Sequence, residues 1–172
     1  MPLGFAFAIF FLWLARPAWL FLVVSLALVV PGLLLRGYAS GCVKKNAELT
    51  VSGPYAHTRN PLYLGSLLIA FGFALAARSL WIAAALLALF AAIYIPVIRS
   101  EEEYLRRVFP QFVAYAASVP RLFPRLVAAG GSGATKGVFS AALYRKHREY
   151  NALLGAAGMY AALILKLMLI RK

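Results

Sequence analysis

The chain has 172 residues, 63% of them hydrophobic and only 13% charged. Soluble domains carry about 25% charged residues, so this composition excludes a soluble globular domain. Net charge is +13, but the basic residues flank apolar runs, which fits membrane orientation and contact with anionic lipid headgroups rather than nucleic-acid binding. Cys42 is the only cysteine, so an internal disulfide and a cysteine metal cluster are both excluded.

Pro2 to Ala15 is apolar but short, and Arg16-Pro17 separates it from a second apolar run, Ala18 to Leu35. The pair predicts a helical hairpin with a tight turn at Arg16-Pro17, and Pro31 is placed to kink the second helix. The start, Met-Pro-Leu-Gly, has no basic stretch before the apolar run, which argues against a cleaved signal peptide. A first polar segment, Arg36 to Arg59, holds Lys44, Lys45, Glu48 and the turn signal Ser52-Gly53-Pro54. Leu62 to Ala77 and Leu80 to Ile98 predict a second hairpin, joined at Arg78-Ser79, with both of its ends on one side of the membrane. Pro17 to Leu35, Asn60 to Ala77 and Ser79 to Ile98 each run 18 to 20 residues without Asp, Glu, Lys or Arg. That is about what a helix needs to cross a ~30 Å hydrocarbon layer, where backbone polar groups must be satisfied within the helix.

A second polar segment, Arg99 to Tyr150, opens with Glu101-Glu102-Glu103 and reads as helix to about Tyr115, ended by Val119-Pro120-Arg121 and Pro124. Ala128 to Gly137 is rich in Gly, Ala and Ser and reads as a linker. Tyr144 to Tyr150 leads into a last span, Asn151 to Ile170, whose Lys166 can snorkel. Gly155 and Gly158 in that span would permit close approach of another helix, although small residues are common in membrane helices generally. The two polar segments hold Arg36, Lys44, Lys45 and Arg59, then nine Lys or Arg from Arg99 to Arg148, against Arg16, Arg78, Arg171 and Lys172 outside them. The positive-inside rule puts both segments in the cytoplasm. The expected fold class is therefore all-α: a polytopic membrane bundle of about five transmembrane helices, with a cytoplasmic N-terminus and an external C-terminus.

All five acids, Glu48, Glu101, Glu102, Glu103 and Glu149, lie in the two polar segments. Glu101 and Glu102 point ~100° apart on a helix, so the acidic trio cannot serve one purpose. One or two can turn into a pocket, whereas a solvated helix start would leave them all outside. His57 and His147 are far apart and give no metal motif; His147, in Arg145-Lys146-His147-Arg148, most simply meets headgroups. The run Gly53-Pro54-Tyr55-Ala56-His57-Thr58-Arg59-Asn60-Pro61-Leu62-Tyr63-Leu64-Gly65 crowds polar and aromatic groups at the membrane end of a helix. Composition alone fits an aromatic belt with a proline-started helix equally well.

The order of residues resembles a known pattern: the Gly-Pro-Tyr, Arg-His-Pro-x-Tyr signature of the isoprenylcysteine carboxyl methyltransferase and phospholipid methyltransferase family. Glu101-Glu102 with Leu105 resembles the family's Glu-Glu-x-x-Leu. Phe109, Tyr115, Val119-Pro120-Arg121 and Pro124 resemble its ending, and Asn46 to Ser52 its lead-in. The resemblance covers Ala39 to Pro124. Asn60 stands where the family has histidine, Pro110 where it commonly has glycine, and Asn60 cannot become a cation.

The expected organisation is an integral membrane methyltransferase-like core over residues 1–126, a flexible linker over 127–137, and a basic segment with a C-terminal helix over 138–172 that lies outside the resemblance. The resemblance implies S-adenosylmethionine as cofactor, bound by Ala47, Glu48, Leu49, Thr50, Tyr55, Arg59, Asn60, Pro61, Leu62, Tyr63, Glu101 and Glu102, with no metal. It implies direct methyl transfer to a lipophilic acceptor entering from the bilayer, either an isoprenylcysteine-like carboxylate or a phospholipid amine. Family members carry an arginine a turn before the paired acids; Val97 holds that place here, and Arg99, the nearest arginine, is the candidate for the acceptor's polar head. The Ala-, Leu- and Arg-rich composition suggests a bacterial inner-membrane protein with the cofactor site facing the cytoplasm. Two alternatives stand beside this reading. A sterol-reductase-like membrane oxidoreductase would bind NADPH, and a non-enzymatic transporter or assembly protein would place polar residues in mid-membrane.

Overall fold

The computed structural model describes residues 2–44, 48–129 and 138–170, with side chains from Ala8 onward. Ala47 and most of the expected linker lie outside the described residues. Among the described residues there are seven α-helices: α1 Pro2–Leu14, α2 Trp19–Cys42, α3 Pro61–Ala77, α4 Leu80–Val108, α5 Phe112–Ser118, α6 Ala141–Lys146 and α7 Tyr150–Ile170. A 3-10 turn spans Gly53–Ala56. No strand occurs among the described residues, so the all-α membrane bundle holds.

Three helices, α2, α4 and α7, are long and apolar enough to cross a membrane. Five spans were expected. The other two segments form shorter helices: α3 has 17 residues and α1 has 13. At 1.5 Å per residue these reach about 25 Å and 20 Å. Local chemistry sets the bounds of α3. Pro61 occupies the first helical position, where a missing N–H costs nothing, and Arg78 adopts the left-handed conformation (φ 52°) as the C-cap. Two helices run further than expected. α2 continues past Leu35 to Cys42, and α4 continues past Ile98 through the acidic trio to Val108. The helix expected to reach Tyr115 breaks at Phe109, which is extended (φ −121°, ψ 102°) because Pro110 follows it, and resumes as α5.

α2 and α3 pack more closely than any other pair, and glycines permit it. A Cβ on Gly65 would stand 2.8 Å from the Gly32 carbonyl oxygen, and one on Gly32 would stand 2.8 Å from that of Gly65. Both neighbours are backbone and cannot swing aside. Gly65→Ala is therefore expected to force the helices apart and cost about 1–3 kcal/mol, read as a lowered midpoint of thermal unfolding in detergent.

At the end of the bundle far from the acidic trio, Phe11, Ala15, Leu22, Ala77, Ile82 and Leu163 form a common core. The Arg16 N–H donates to the Ala77 carbonyl at 2.8 Å, joining the two hairpin turns. Lys166 does not snorkel outward alone: its ammonium donates to the Leu12 carbonyl and, at 3.1 Å, to that of Trp13, capping α1. Within the span, the Ser25 and Tyr160 hydroxyls bond at 2.7 Å and tie α7 to α2.

The segment before α7 returns to the other end of the bundle. The Ser140 N–H donates to the Gly41 carbonyl at 2.9 Å, and the Ser140 hydroxyl accepts from the Leu143 N–H as the N-cap of α6. His147 Nδ1 lies 2.9 Å from the Ser40 carbonyl oxygen. Arg148, at φ 52°, turns the chain into α7. The ends of α2, α3, α4 and α7 that carry Arg36, Asn60, Glu101 and Glu149 thus meet on one side, as the charge pattern predicts.

Candidate functional site

The turn from Gly53 to Asn60 is held by the chain beyond α5. Gly53 sits at φ 61°, a conformation open to glycine, and residues Gly53–Ala56 are buried. The Arg59 N–H donates to the Pro120 carbonyl at 2.9 Å, the Arg125 N–H to that of His57 at 3.0 Å, and the Ala129 N–H to that of Ala56 at 3.0 Å. Side chains reinforce this. The Thr58 hydroxyl donates to the Leu122 carbonyl at 3.0 Å, and the Asn60 amide to that of Arg121 at 2.9 Å. Asn60 therefore fastens the start of α3 to the Val119-Pro120-Arg121 stretch, a task that needs a donor and no charge. His57 Nδ1 lies 2.8 Å from the Arg125 carbonyl oxygen and does not line the cavity described below.

α4 meets this turn through its acids, which divide as helical geometry requires. Glu102 is buried and pairs with Arg59 at 3.3 Å and with Arg121 at 2.8 Å. The Glu102 carboxylate in turn raises the pKa of the Arg121 guanidinium through their hydrogen bond and charge attraction. Glu101, ~100° around the helix, lines the same cavity as Tyr63, whose ring meets Tyr94 edge-on at 5.2 Å. Glu103 faces outward and pairs with Arg107.

Between these parts lies a cavity of about 470 Å³, within the range of small-molecule and cofactor sites. The structure brings together at this cavity nearly all the residues singled out in the sequence. Glu48, Leu49 and Thr50 line it from the first polar segment, and Tyr55 and Arg59 from the turn. Asn60, Pro61, Leu62 and Tyr63 line it from the start of α3, and Glu101 and Glu102 from α4. Arg99 does not line it. Ile98 and Glu102 are buried one turn apart, whereas Arg99 and Glu103 sit one step further round and are exposed. The arginines at the cavity are Arg36 and Arg59.

Sequence reasoning missed Arg36, His147 and Glu149 as cavity residues. The Arg36 Nε donates to Glu149 at 2.5 Å, and its Nη1 donates to the Ser66 hydroxyl and, at 3.3 Å, to the Leu62 carbonyl. The one available signal was Glu149 itself, an acid placed directly before an apolar span in a chain that has five acids.

Burial is the main cause of raised pKa values at two phenols, Tyr55 and Tyr115, both held well above the ordinary 10.0. The Tyr115 hydroxyl also donates to the Tyr55 carbonyl at 2.7 Å. The unfolded chain releases these two protons near pH 10, while the folded chain retains them. Their contribution to stability is therefore fully present below about pH 10 and is lost as pH rises beyond it. Alkaline titration followed by phenolate absorbance and circular dichroism should show these tyrosines ionising together with unfolding. Tyr115→Phe should make the alkaline fall shallower.

Among the described residues, no three His, Cys, Asp or Glu side chains gather as metal ligands. Residues 36–111 match the model of the phospholipid methyltransferase family, which bears out the resemblance read from the sequence. The chain is 44% identical over 89 residues to the cobalt-zinc-cadmium resistance protein CzcN of Cupriavidus metallidurans, covering 52% of this chain and 40% of that protein. It is 43% identical over 89 residues to the nickel-cobalt-cadmium resistance protein NccN of Alcaligenes xylosoxydans xylosoxydans, covering 52% and 41%. The match thus spans about two fifths of each relative's length. No solved structure matches the chain.

Proposed function

With residues 36–111 matching the phospholipid methyltransferase family, we propose that the chain is an integral membrane methyltransferase that moves a methyl group from S-adenosylmethionine to a lipophilic acceptor. The observation that carries this reading is the convergence of the Gly53–Asn60 turn and Glu101, from opposite ends of a membrane hairpin, on one cavity with complementary charges. The residues fit the cofactor. Arg59 has a buried Nε without a hydrogen-bond partner, although its Nη1 lies 3.3 Å from Glu102. The cofactor's carboxylate would supply the missing acceptor. The first-turn N–H groups of α3, at Leu62 and Tyr63, add donors and the positive end of the helix dipole. Glu101 accepts from an ammonium or ribose hydroxyl, and the faces of Tyr55 and Tyr63 suit a sulfonium.

When bound, S-adenosylmethionine supplies a methyl on a cationic sulfur: the acceptor's lone pair forms the new bond to carbon as the carbon–sulfur bond breaks and its electron pair stays on sulfur. A carboxylate acceptor becomes an ester with no proton to dispose of. An amine acceptor gains a methyl and then sheds a proton, for which Glu101 is an exposed carboxylate on the cavity wall. The protein's contribution is alignment and exclusion of water. Phe112 and Tyr115 provide an apolar wall, and the chain after Val119 locks the turn. The basic cavity end faces the cytoplasm in this reading, consistent with the charge asymmetry, and the organism is bacterial. The relatives' names concern metal resistance, and a shared role would run through the modified lipid rather than through a metal held by these residues.

Calorimetric titration of the full chain in detergent tests the reading. Saturable, one-to-one binding of S-adenosylhomocysteine is expected, with none of NADPH. Binding of the nucleotide alone would replace the methyltransferase with a reductase.

A further inference from the structure

The stretch after Val119 exposes its apolar side chains. Leu126 is 98% exposed, the highest value for a large apolar residue among the described residues, and Phe123 and Val127 stand at 78% and 72%. Arg121 and Arg125 are interleaved with them and are exposed too. From Tyr104 to Arg148 the chain has eight Lys or Arg and no acid.

This exposure does not come from a loose chain, because the backbone is turned inward. The Pro120 carbonyl accepts from the Arg59 N–H, the Arg121 carbonyl from the Asn60 amide and the Leu122 carbonyl from the Thr58 hydroxyl. The Arg125 N–H and carbonyl both meet His57. Polar backbone thus faces the turn while apolar side chains face out, the reverse of what water favours.

The turn also fixes the depth of the stretch. It runs directly into Pro61, the first residue of α3, and α3 at about 25 Å is shorter than the ~30 Å hydrocarbon layer. A helix with no length to spare keeps its first turn at the edge of the hydrocarbon. Residues 120–127, bonded to residues 57–60, therefore lie at headgroup level. Aromatic and aliphatic side chains beside arginines suit that boundary.

We propose that residues 120–127 dock on the anionic bilayer surface and that docking holds the cavity's turn in place. Phe123, Leu126 and Val127 enter the boundary between headgroups and acyl chains, and Arg121 and Arg125 meet lipid phosphate. Two observations favour a bilayer over a protein partner. The patch lies at the level of the membrane that the chain itself spans, and the surrounding sequence carries only positive charge, which complements anionic lipid. Coupling to the site follows from the bonds above. Arg59 and Asn60 line the cavity, and carbonyls of the docked stretch accept from both. Arg121 keeps Nε and Nη2 on Glu102 while remaining 51% exposed, so one guanidinium can hold Glu102 on its inner edge and a phosphate on its outer edge. The lipid contact goes beyond the methyltransferase reading; only its cofactor readout rests on that reading.

A nitroxide on Leu126→Cys, in a Cys42→Ala background, reads the depth in vesicles of phosphatidylcholine with phosphatidylglycerol. The label should be open to oxygen and shielded from a water-soluble nickel chelate. Free access of the chelate overturns docking, and spin–spin broadening in dilute vesicles overturns it in favour of a second copy of the chain. S-adenosylhomocysteine should bind about five-fold more tightly with phosphatidylglycerol than in phosphatidylcholine alone, the scale of one basic residue at an anionic surface. Phe123→Ser with Leu126→Ser should abolish that difference and leave affinity in detergent unchanged. Equal affinity of the parent chain in the two kinds of vesicle overturns the coupling, and the same gain from inorganic phosphate in detergent overturns the bilayer as its source. If the parent chain binds no S-adenosylhomocysteine in any of these, the methyltransferase reading falls instead, and the nitroxide still decides whether the stretch docks.

Discussion

Glu101→Gln should weaken S-adenosylhomocysteine binding roughly 10- to 100-fold while leaving the protein folded. Glu101 is exposed and lines the cavity, and in the proposed reading its carboxylate accepts from the cofactor's ammonium and ribose hydroxyls. Hydrogen bonds to a charged group contribute about 1.5–3 kcal/mol, and each 1.4 kcal/mol is a factor of about ten in affinity. Glu101 is exposed, and glutamine has nearly the same shape, so thermal stability should change little. Calorimetry at fixed salt reads the loss. A change of less than about three-fold would remove Glu101 from the cofactor's contacts.

Glu102→Gln should behave in the opposite way, failing first in stability. The Glu102 side chain is 8% exposed and that of its partner Arg59 is 13% exposed. Removing the carboxylate charge strands the Arg59 guanidinium, whose Nε already has no partner, in a region with little water. Breaking a buried pair from one side costs about 3–5 kcal/mol. Arg121, half-exposed at 51%, adds little because water replaces its partner. The double variant Glu102→Met with Arg59→Met should recover most of the stability, since no charge is then left behind, but should not recover cofactor affinity. Thermal unfolding of the three proteins in the same detergent checks the pattern. Equal stability of Glu102→Gln and the parent would mean that the pair is hydrated and holds nothing together.

The spans were legible where a charge-free run was long enough to declare itself. The turns at Arg16-Pro17 and Arg78-Ser79 interrupt such runs, and helices end at both. Where charged residues continue a helix, no charge-free run marks its true end. Arg36 reads as the start of a polar segment, yet Ser66 and Glu149 satisfy it and α2 carries on to Cys42. The acidic trio likewise marks the middle of α4's last turns rather than a boundary. The cavity was legible through local order, because Gly53 to Tyr63 and Glu101 to Leu105 are short motifs whose side chains converge. Arg99 lies a step around the helix from the buried face of Ile98 and Glu102, which its proximity in sequence to the acids does not reveal. Glu149 and His147 lie more than a hundred residues from the helix they touch, and no local pattern carries such a pairing.

That last distance bears on how the protein is made. Helical hairpins insert as they emerge, N-terminal ones first, and contacts between distant segments form late. Both hairpins can be in place while Arg36 still lacks Glu149. Until α7 enters, a guanidinium stands uncancelled beside the apolar face of α3. Biogenesis would therefore have a final step, with the last helix sealing the cavity, and a ribosome stalled before Tyr150 would leave an inserted but open protein for quality-control proteases to find.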